Sequence, residues 1–141
     1  MPLGHLGLRL VERPVTSQEE ARAVFADVRK SETQGILLPH SVTWNIPALA
    51  LDAATTHGLP TMFPESFFVN RGGLASYGPD YYETGRQAVR LVDKILKGQK
   101  PADIPIESNP RIELTLNLKV ARRLGLTIPP SIQARANRVI K

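Results

Sequence analysis

Short apolar runs alternate with amphipathic helical patterns along the first half of the chain. Residues 35–39 and 59–63 are apolar almost throughout, as is typical of strands that helices cover on both faces. Residues 8–11 and 74–77 predict two further strands. Strands that alternate with helices in this way favour right-handed βαβ units and a parallel sheet. The pattern therefore predicts an α/β fold built on such a sheet.

Two helices are predicted between these strands, each with a recognisable start. Ser17 and Glu20 form a capping box, in which the serine caps the helix and the glutamate reaches back. Asn45 can cap the second helix, which tolerates Pro47 in its first turn and ends at Gly58. The predicted buried stripe of this second helix consists of Ile46, Leu49, Ala50 and Ala53.

The longest predicted helix begins at residues 78–80 and ends at Gly98. A proline in the first turn and Asp80 near the positive end of the dipole mark its start. Its apolar face consists of Tyr81, Gly85, Ala88, Val89, Val92, Ile95 and Leu96. A proline-rich linker follows over residues 98–110.

The C-terminal part predicts one strand and two helices. Residues 112–116 alternate apolar with polar side chains, which predicts a strand. Asn117 then caps a short helix that ends at Gly125. After the break at Pro129 and Pro130, a final helix is predicted over residues 131–140.

Composition is that of an ordinary globular domain, with 42% hydrophobic and 22% charged residues among 141. No cysteine is present, which excludes disulfides and thiolate sites. No N-terminal signal peptide is evident. The net charge of +5 comes from residues 113–141, where six basic residues face Glu113 alone. This tail has no aromatic residue to stack on bases, so we interpret it as a solvated face and expect no nucleic-acid partner.

Ligands of open parallel sheets bind beyond the carboxyl ends of the strands. Three loops would meet there, over residues 39–45, 63–67 and 76–79. Their hydroxyl, amide and aromatic groups suit a small polar or amphipathic ligand. The candidate ligand-binding residues are His40, Ser41, Asn45, Phe63, Ser66, Ser76 and Tyr77.

Several residues of these loops have a purely structural alternative. Asn45 caps a helix whether or not it binds, and Thr43 is a second candidate for that cap. Trp44 could pack beneath its loop, and Tyr77 could fill the core. Glu65 reads as a solvated loop charge rather than as a partner for an amine.

No constellation of residues indicates an enzyme. The three histidines, His5, His40 and His57, lack metal-ligand spacing. No nucleophile elbow is present, and the carboxylates are scattered singly. The glycine pair at residues 72–73 matches neither a Walker motif nor a dinucleotide fingerprint, and we interpret it as a tight turn. We therefore expect no catalytic residue, no metal site and no cofactor.

Three motifs together resemble one family. Residues 72–78 read GGLASYG, residues 92–107 read VDKILKGQKPADIPIE, and residues 113–140 read ELTLNLKVARRLGLTIPPSIQARANRVI. In this order they are similar to the C-terminal part of ABC-transporter substrate-binding proteins related to the tryptophan and aromatic amino-acid binders. The similarity is strong from Gly72 onward and weaker over residues 8–63.

The resemblance implies a truncated periplasmic-binding-protein type I fold: a three-layer lobe with a parallel sheet and C-terminal crossover helices. Two such lobes close on a ligand like a Venus flytrap. Residues 1–78 would be an incomplete second lobe, 79–110 an interlobe helix and proline linker, and 111–141 a returning strand and helices. The isolated chain would then supply one wall of the cleft and bind ligand weakly or not at all.

The expected function is the capture of a small solute, possibly an amino acid, and its delivery to a membrane permease. The resemblance implies a periplasmic or cell-envelope location, and the face of helix 80–97 could support a dimer. Two alternatives stay open at this point. The chain could be an effector-sensing lobe of a regulatory protein, or a truncated product without activity of its own.

Overall fold

A computed structural model describes residues 7–39, 46–108 and 111–141. The strands are β1 (Ile36–Leu37), β2 (Thr61–Phe63), β3 (Ala75–Pro79), β4 (Ile112–Asn117) and β5 (Arg138–Ile140). The helices are α1 (Gln18–Ala26), α2 (Ile46–His57), α3 (Ser66–Asn70), α4 (Tyr81–Leu96), α5 (Leu118–Arg123) and α6 (Pro130–Arg135). A 3-10 turn covers Pro101–Asp103.

The five strands form one sheet in the order β1-β2-β3-β4-β5. The pairings of β1 with β2, β2 with β3 and β4 with β5 are parallel, whereas β4 runs antiparallel to β3. The predicted α/β class with a mainly parallel sheet is therefore confirmed. The antiparallel pair arises because the chain leaves the sheet at the end of β3 and returns beside it after α4 and the linker.

The start of α1 follows the predicted capping pattern with one shift. The Ser17 hydroxyl accepts from the Glu20 amide at 3.1 Å, as expected. The Glu20 carboxylate reaches back further than predicted, accepting from the amide and hydroxyl of Thr16 at 2.7 and 2.8 Å. These two hydrogen bonds from Thr16 lower the pKa of Glu20. The capping box is thus extended by one residue.

The core lies where α2 and α3 cover the sheet. Its central cluster comprises Leu38, Ala50, Leu51, Phe63 and Phe68. The buried face of α2 is rotated slightly relative to the predicted one. Ala50 and Ala53 are buried as expected, whereas Leu49 is only half-buried. Leu51 and Ala54 are buried in addition, so α2 presents a broad rather than a narrow face to the core.

The strand predicted over residues 8–11 is wrong, because these residues are exposed and outside any strand. Leu8 and Leu10 are 56% and 45% exposed. An extended segment becomes a strand only when a neighbour satisfies its backbone groups. Among the described residues, none pairs with this segment, and β1 is paired only with β2.

The final helix is shorter than predicted. It ends at Arg135, and residues 138–140 form β5 instead. Asn137 marks the transition from helix to strand. Its backbone amide donates to the Leu114 carbonyl and its side-chain oxygen accepts from the Leu114 amide, both at 2.9 Å. The chain is thereby aligned with β4, and the β-branched pair Val139 and Ile140 continues as a strand.

Candidate ligand-binding site

The parallel strands β1, β2 and β3 end at one edge of the sheet, which we call the carboxyl edge. The register pairs Ile36 with Thr61 and Phe63 with Ser76, so the strands are aligned side by side. The loop after β2 and the exit from β3 therefore meet at this edge, as predicted. His40, Ser41 and Asn45, with the alternatives Thr43 and Trp44, lie outside the described residues.

Phe63 and Ser76 occupy the core beneath the carboxyl edge. They are neighbours in the register of β2 and β3, and they are 0% and 2% exposed. The Phe63 ring stacks on Phe68 with a centroid separation of 5.1 Å. Both predicted site residues thus support the edge from below, and in this structure neither presents its side chain to solvent.

Tyr77 is the exposed member of the predicted set on β3. Successive side chains of a strand point to opposite faces, so Tyr77 faces away from the side that holds Ser76. It is 62% exposed and lies opposite Leu114 of β4. The structure therefore separates Ser76 and Tyr77, which are adjacent in sequence, onto the two faces of the sheet.

Ser66 begins a short helix that the sequence analysis missed. α3 spans Ser66–Asn70, with Glu65 at its N-cap and Phe68 and Val69 buried. A helix of this length covers little more than one turn, so it shows no periodicity that a sequence pattern could reveal. Ser66 is half-buried at the point where the loop after β2 becomes helical.

Each glycine of the GGLASYG segment is favoured at its position for a different structural reason. Gly72 has a φ of +116°, which favours glycine, so the predicted tight turn is confirmed. A Cβ at Gly73 would lie 2.8 Å from the Phe63 ring. A Cβ at Gly78 would overlap the Pro64 carbonyl. The segment therefore brings β3 into direct backbone contact with the loop that follows β2.

The charge of Glu65 affects the pKa of Tyr81, an effect that the sequence did not reveal. Burial raises the pKa of Tyr81, and the negative charge of Glu65 raises it further. Tyr81 is the first residue of α4 and is 47% exposed. The contact between Gly78 and the Pro64 carbonyl places the loop after β2 beside the end of β3, from which α4 starts.

The crossover between β3 and β4 is tied by Asp80 and Arg111. The Asp80 amide donates to the Arg111 carbonyl at 3.0 Å, and the Arg111 Nε atom lies 3.4 Å from the Asp80 carboxylate. The other oxygen of the same carboxylate accepts from the Glu83 amide at 3.0 Å and so caps α4. The exit and return of the chain are therefore held at one point.

The helix α4 contains no buried residue. Its predicted apolar face is exposed, with Val89, Val92 and Leu96 at 68%, 52% and 81%. A shallow apolar groove on this helix is lined by Tyr81, Tyr82, Gly85, Arg86, Val89 and Arg90.

The linker after α4 contacts the side of the helix that carries its polar residues. The Glu107 carboxylate accepts from Gln87 at 2.9 Å and lies 3.5 Å from Lys94 and 3.9 Å from Arg90. These three residues lie on one face of α4, because they are spaced three and four positions apart. Val92, Ala88 and Gly85 lie on the opposite face. The linker therefore leaves the apolar face uncovered.

The described residues contain no cluster of three or more side chains that could hold a metal ion. Over the same ranges, none of the helices is both long and apolar enough to span a bilayer.

The sequence matches a family model described as "ABC transporter substrate binding protein" over residues 3–140. A curated relative, the tyrosine-binding protein of Clostridioides difficile, is 25% identical over 118 residues. That alignment covers 83% of this chain but 34% of the relative. The chain thus spans about a third of the length of this relative.

Solved structures show the same fold. A conserved domain protein from Vibrio cholerae has 27% identity and a TM-score of 0.76, over 96% of this chain and 46% of its own. An ABC domain from Streptococcus pneumoniae in complex with L-Trp has 27% identity and a TM-score of 0.71, over 86% of this chain and 40% of its own. A ligand-free, open substrate-binding protein from Clostridium difficile has 22% identity and a TM-score of 0.61, over 98% and 46%.

The sequence resemblance is confirmed by the family match and by these folds, and the family consists of substrate-binding proteins rather than enzymes. The family model matches nearly the whole chain. The sheet order and the crossover after β3 agree with that assignment. The chain belongs to the ABC transporter substrate-binding protein family.

Proposed function

We propose that this chain forms part of the substrate-binding component of an ABC transporter. In this role it captures a small solute between two lobes and delivers it to a membrane permease. The observation that carries the proposal is that α4 contains no buried residue and leaves the sheet at the edge where parallel sheets bind ligands. A helix with a free apolar face at that position fits a chain that continues into a second body.

The crossover supports a proposed division of the chain into three parts. Residues 1–78 are the incomplete second lobe, residues 79–110 the interlobe helix and linker, and residues 111–141 the returning strand and its helices. The first lobe of the same protein would cover the apolar face of α4. The length of the relatives supports this, because the chain spans 46% and 40% of two of the matched structures.

The site residues sort into two groups by their burial. Ser66 and Tyr77 are accessible at or near the carboxyl edge and are proposed as ligand contacts, together with His40, Ser41 and Asn45. Phe63 and Ser76 are proposed to support the edge from the core, because their side chains are enclosed. The opposite wall of the cleft would come from the first lobe.

An aromatic amino acid is the ligand class that the relatives favour. One relative is named for tyrosine, and one matched structure holds L-Trp. The exposed rings of Tyr77 and Tyr81 could stack on an aromatic side chain. A location in the periplasm or cell envelope follows from the same family role.

A second copy of the chain is the competing occupant of the α4 face. The first lobe fits better, because a crossover helix tied at Asp80 and Arg111 projects toward whatever the chain builds next. No comparison supports a dimer. Light scattering of the isolated chain over a concentration series distinguishes the two occupants, since only self-association gives a mass that rises with concentration.

The binding proposal is tested by isothermal titration of the complete protein and of the isolated chain against the twenty amino acids. We expect the complete protein to bind at least one aromatic amino acid, and the isolated chain to bind it weakly or not at all. Submicromolar binding by the isolated chain would contradict the division into two walls. Failure of the complete protein to bind any of the amino acids would contradict the ligand class.

A further inference from the structure

The paired strands β3 and β4 extend past the end of β2 at the carboxyl edge. Phe63, the last residue of β2, is paired with Ser76, whereas residues 77–79 of β3 are paired with β4 alone in the described part of the chain. Three residues of a strand measure about 10 Å. The two strands therefore form a wall beside the space beyond β1 and β2, where ligands of parallel sheets bind.

Glu113 lies on the face of this wall that α3 covers further down. It is paired with Gly78, which follows Ser76 by two positions. Residues two apart on a strand share a face, as do residues directly opposite each other. On that face α3 packs against Phe63. The Pro64 carbonyl lies against Gly78 on the same side, so the loop after β2 passes beside Glu113.

Arg111 places its guanidinium between two carboxylates on this wall. Its Nε atom lies 3.4 Å from Oδ2 of Asp80, and its Nη2 atom lies 4.0 Å from Oε1 of Glu113. The second distance is too long for a hydrogen bond. The Glu113 carboxylate accepts no hydrogen bond from the described residues, although its side chain is only 27% exposed. A positive and a negative group thus lie side by side at the carboxyl edge without a direct hydrogen bond between them.

These two charges match the head group of an α-amino acid. Its ammonium and carboxylate groups are attached to one carbon atom, so they also lie side by side. A guanidinium binds a carboxylate through two parallel N–H donors, and a carboxylate accepts charge-assisted hydrogen bonds from an ammonium group. A carboxylate without donors is costly once a closing cleft excludes water, whereas an ion pair as exposed as this one contributes little to stability.

We propose that Arg111 and Glu113 bind the zwitterionic head group of the ligand. Arg111 binds the carboxylate of the ligand, and Glu113 binds its ammonium group. This inference rests on the proposed binding function and adds the residues that select an α-amino acid over an amine or an acid with only one of the two charges. Asp80 is then a positioning residue, because its carboxylate holds the guanidinium from the other side.

The test measures the two charges of the ligand separately. The amino acid that binds most tightly to the complete protein is compared with its amine and its deaminated acid; for L-tryptophan these are tryptamine and indole-3-propionate. Isothermal titration is repeated with Arg111→Gln and Glu113→Gln, and weak analogues are measured by competition with the amino acid.

Each variant should affect two of the three ligands. We expect Arg111→Gln to weaken the amino acid and the acid by about tenfold or more, and Glu113→Gln to weaken the amino acid and the amine by the same factor. The remaining ligand of each variant should bind as before or slightly more tightly. That retained affinity also shows that the variant is folded.

The matched controls are Arg13→Gln and Glu12→Gln, which remove the same charges from exposed residues outside the helices and strands. They should leave all affinities unchanged. Asp80→Asn separates ligand binding from support, because asparagine keeps the cap of α4 and loses the charge that faces Arg111. If Arg111 acted only by holding the crossover, Asp80→Asn would reproduce the losses of Arg111→Gln, and the assignment of Arg111 would be wrong.

The outcomes separate this inference from the binding function. If the wild-type protein binds an amino acid and both glutamine variants bind it equally well, the inference fails and the binding function stands. An equal loss for all three ligands would also overturn it, because the effect would then be structural. If the wild-type protein binds none of the amino acids, the binding function fails and this inference fails with it.

Discussion

The backbone of Gly78 lies directly against the carbonyl group of Pro64, so that residue 78 has no room for a side chain. This contact joins β3 to the loop after β2 and sets the spacing of the carboxyl edge. It also explains why a glycine follows the tyrosine in the segment GGLASYG. The local packing of one residue therefore determines how β3 and the loop after β2 meet at the carboxyl edge.

Gly78→Ala should destabilise the chain strongly. The added methyl group must displace backbone rather than a flexible side chain, and overpacking of this kind costs about 1–3 kcal/mol or more. Gly85→Ala is the matched control, because its Cβ would meet nothing within 4 Å. In the middle of α4 this change should stabilise the helix by up to about 1 kcal/mol. Urea unfolding of both variants measures the difference, and equal effects would contradict the close contact.

Asn117 has two roles in one side chain. Its Oδ1 atom accepts from the Val120 amide at 3.1 Å and caps α5, while its Nδ2 atom donates to the Val69 carbonyl at 3.1 Å. Asn117→Ala should lose about 1 kcal/mol for the cap and about 0.5–1.5 kcal/mol more for the buried hydrogen bond to the Val69 carbonyl, which then keeps its bond from the Gly72 amide.

Ser17→Ala provides the comparison for Asn117, since the Ser17 hydroxyl caps α1 at an exposed position and makes no second hydrogen bond with the described residues. It should cost only the capping contribution, about 1 kcal/mol. The free energies of unfolding from urea titrations would therefore differ clearly. If the two variants cost the same, the bond from Asn117 to α3 contributes nothing.

The contact between Glu107 and α4 should depend on pH. The hydrogen bond from Gln87 lowers the pKa of Glu107, and the charges of Lys94 and Arg90 act in the same direction. A carboxyl group whose pKa is lower in the folded state stabilises that state above its unfolded pKa. This contribution is lost as the pH falls through the folded pKa. The linker should then separate from α4.

Hydrogen exchange of the amides in residues 104–108 measures this separation. Exchange, corrected for the intrinsic effect of pH, should accelerate in acid. Glu107→Gln should show the faster exchange already at neutral pH. Glu32→Gln should not, because Glu32 is exposed and forms no ion pair with the residues that the structure describes. High salt should weaken the same contact, because exposed charges are screened. If the corrected exchange rate does not depend on pH, on salt or on the substitution, other contacts hold the linker against α4.

The apolar face of α4 should matter only in the complete protein. Val92 is 52% exposed in this chain, so Val92→Ser should change its free energy of unfolding by no more than about 0.5 kcal/mol. If the first lobe covers this face, the same substitution in the complete protein should cost roughly 1–3 kcal/mol. Urea unfolding of both forms provides the comparison. A cost that is equally small in both would remove the proposed packing of α4 on the first lobe.

The features that the sequence predicted correctly depend on neighbours in the chain. Ser17 and Asn117 were identified as caps, and Gly58 as a helix end, because capping involves residues within one turn. The long apolar runs predicted β1 and β2 for the same reason, since buried strands need no partner to be recognisable as hydrophobic.

The features that the sequence did not predict depend on distant partners. Residues 138–140 form a strand because Thr115 and Leu116 lie beside them, more than twenty residues earlier in the chain. Residues 8–11 have a suitable pattern but no adjacent strand. The same limit applies to the site. The burial of Ser76 and the contact between Gly78 and Pro64 follow from the pairing of β2 with β3, which no local pattern encodes.

The hydrogen bond and ion pair between Asp80 and Arg111 also indicate how the protein could be re-engineered. Adjacent antiparallel strands place paired Cα atoms about 5 Å apart, so the intervening segment begins and ends at almost one point. Such a point tolerates replacement of everything between, either by a two-residue hairpin turn or by an unrelated module with closely spaced termini. The crossover is therefore a natural grafting position, at which the sheet could be separated from its helix and reused as a minimal scaffold.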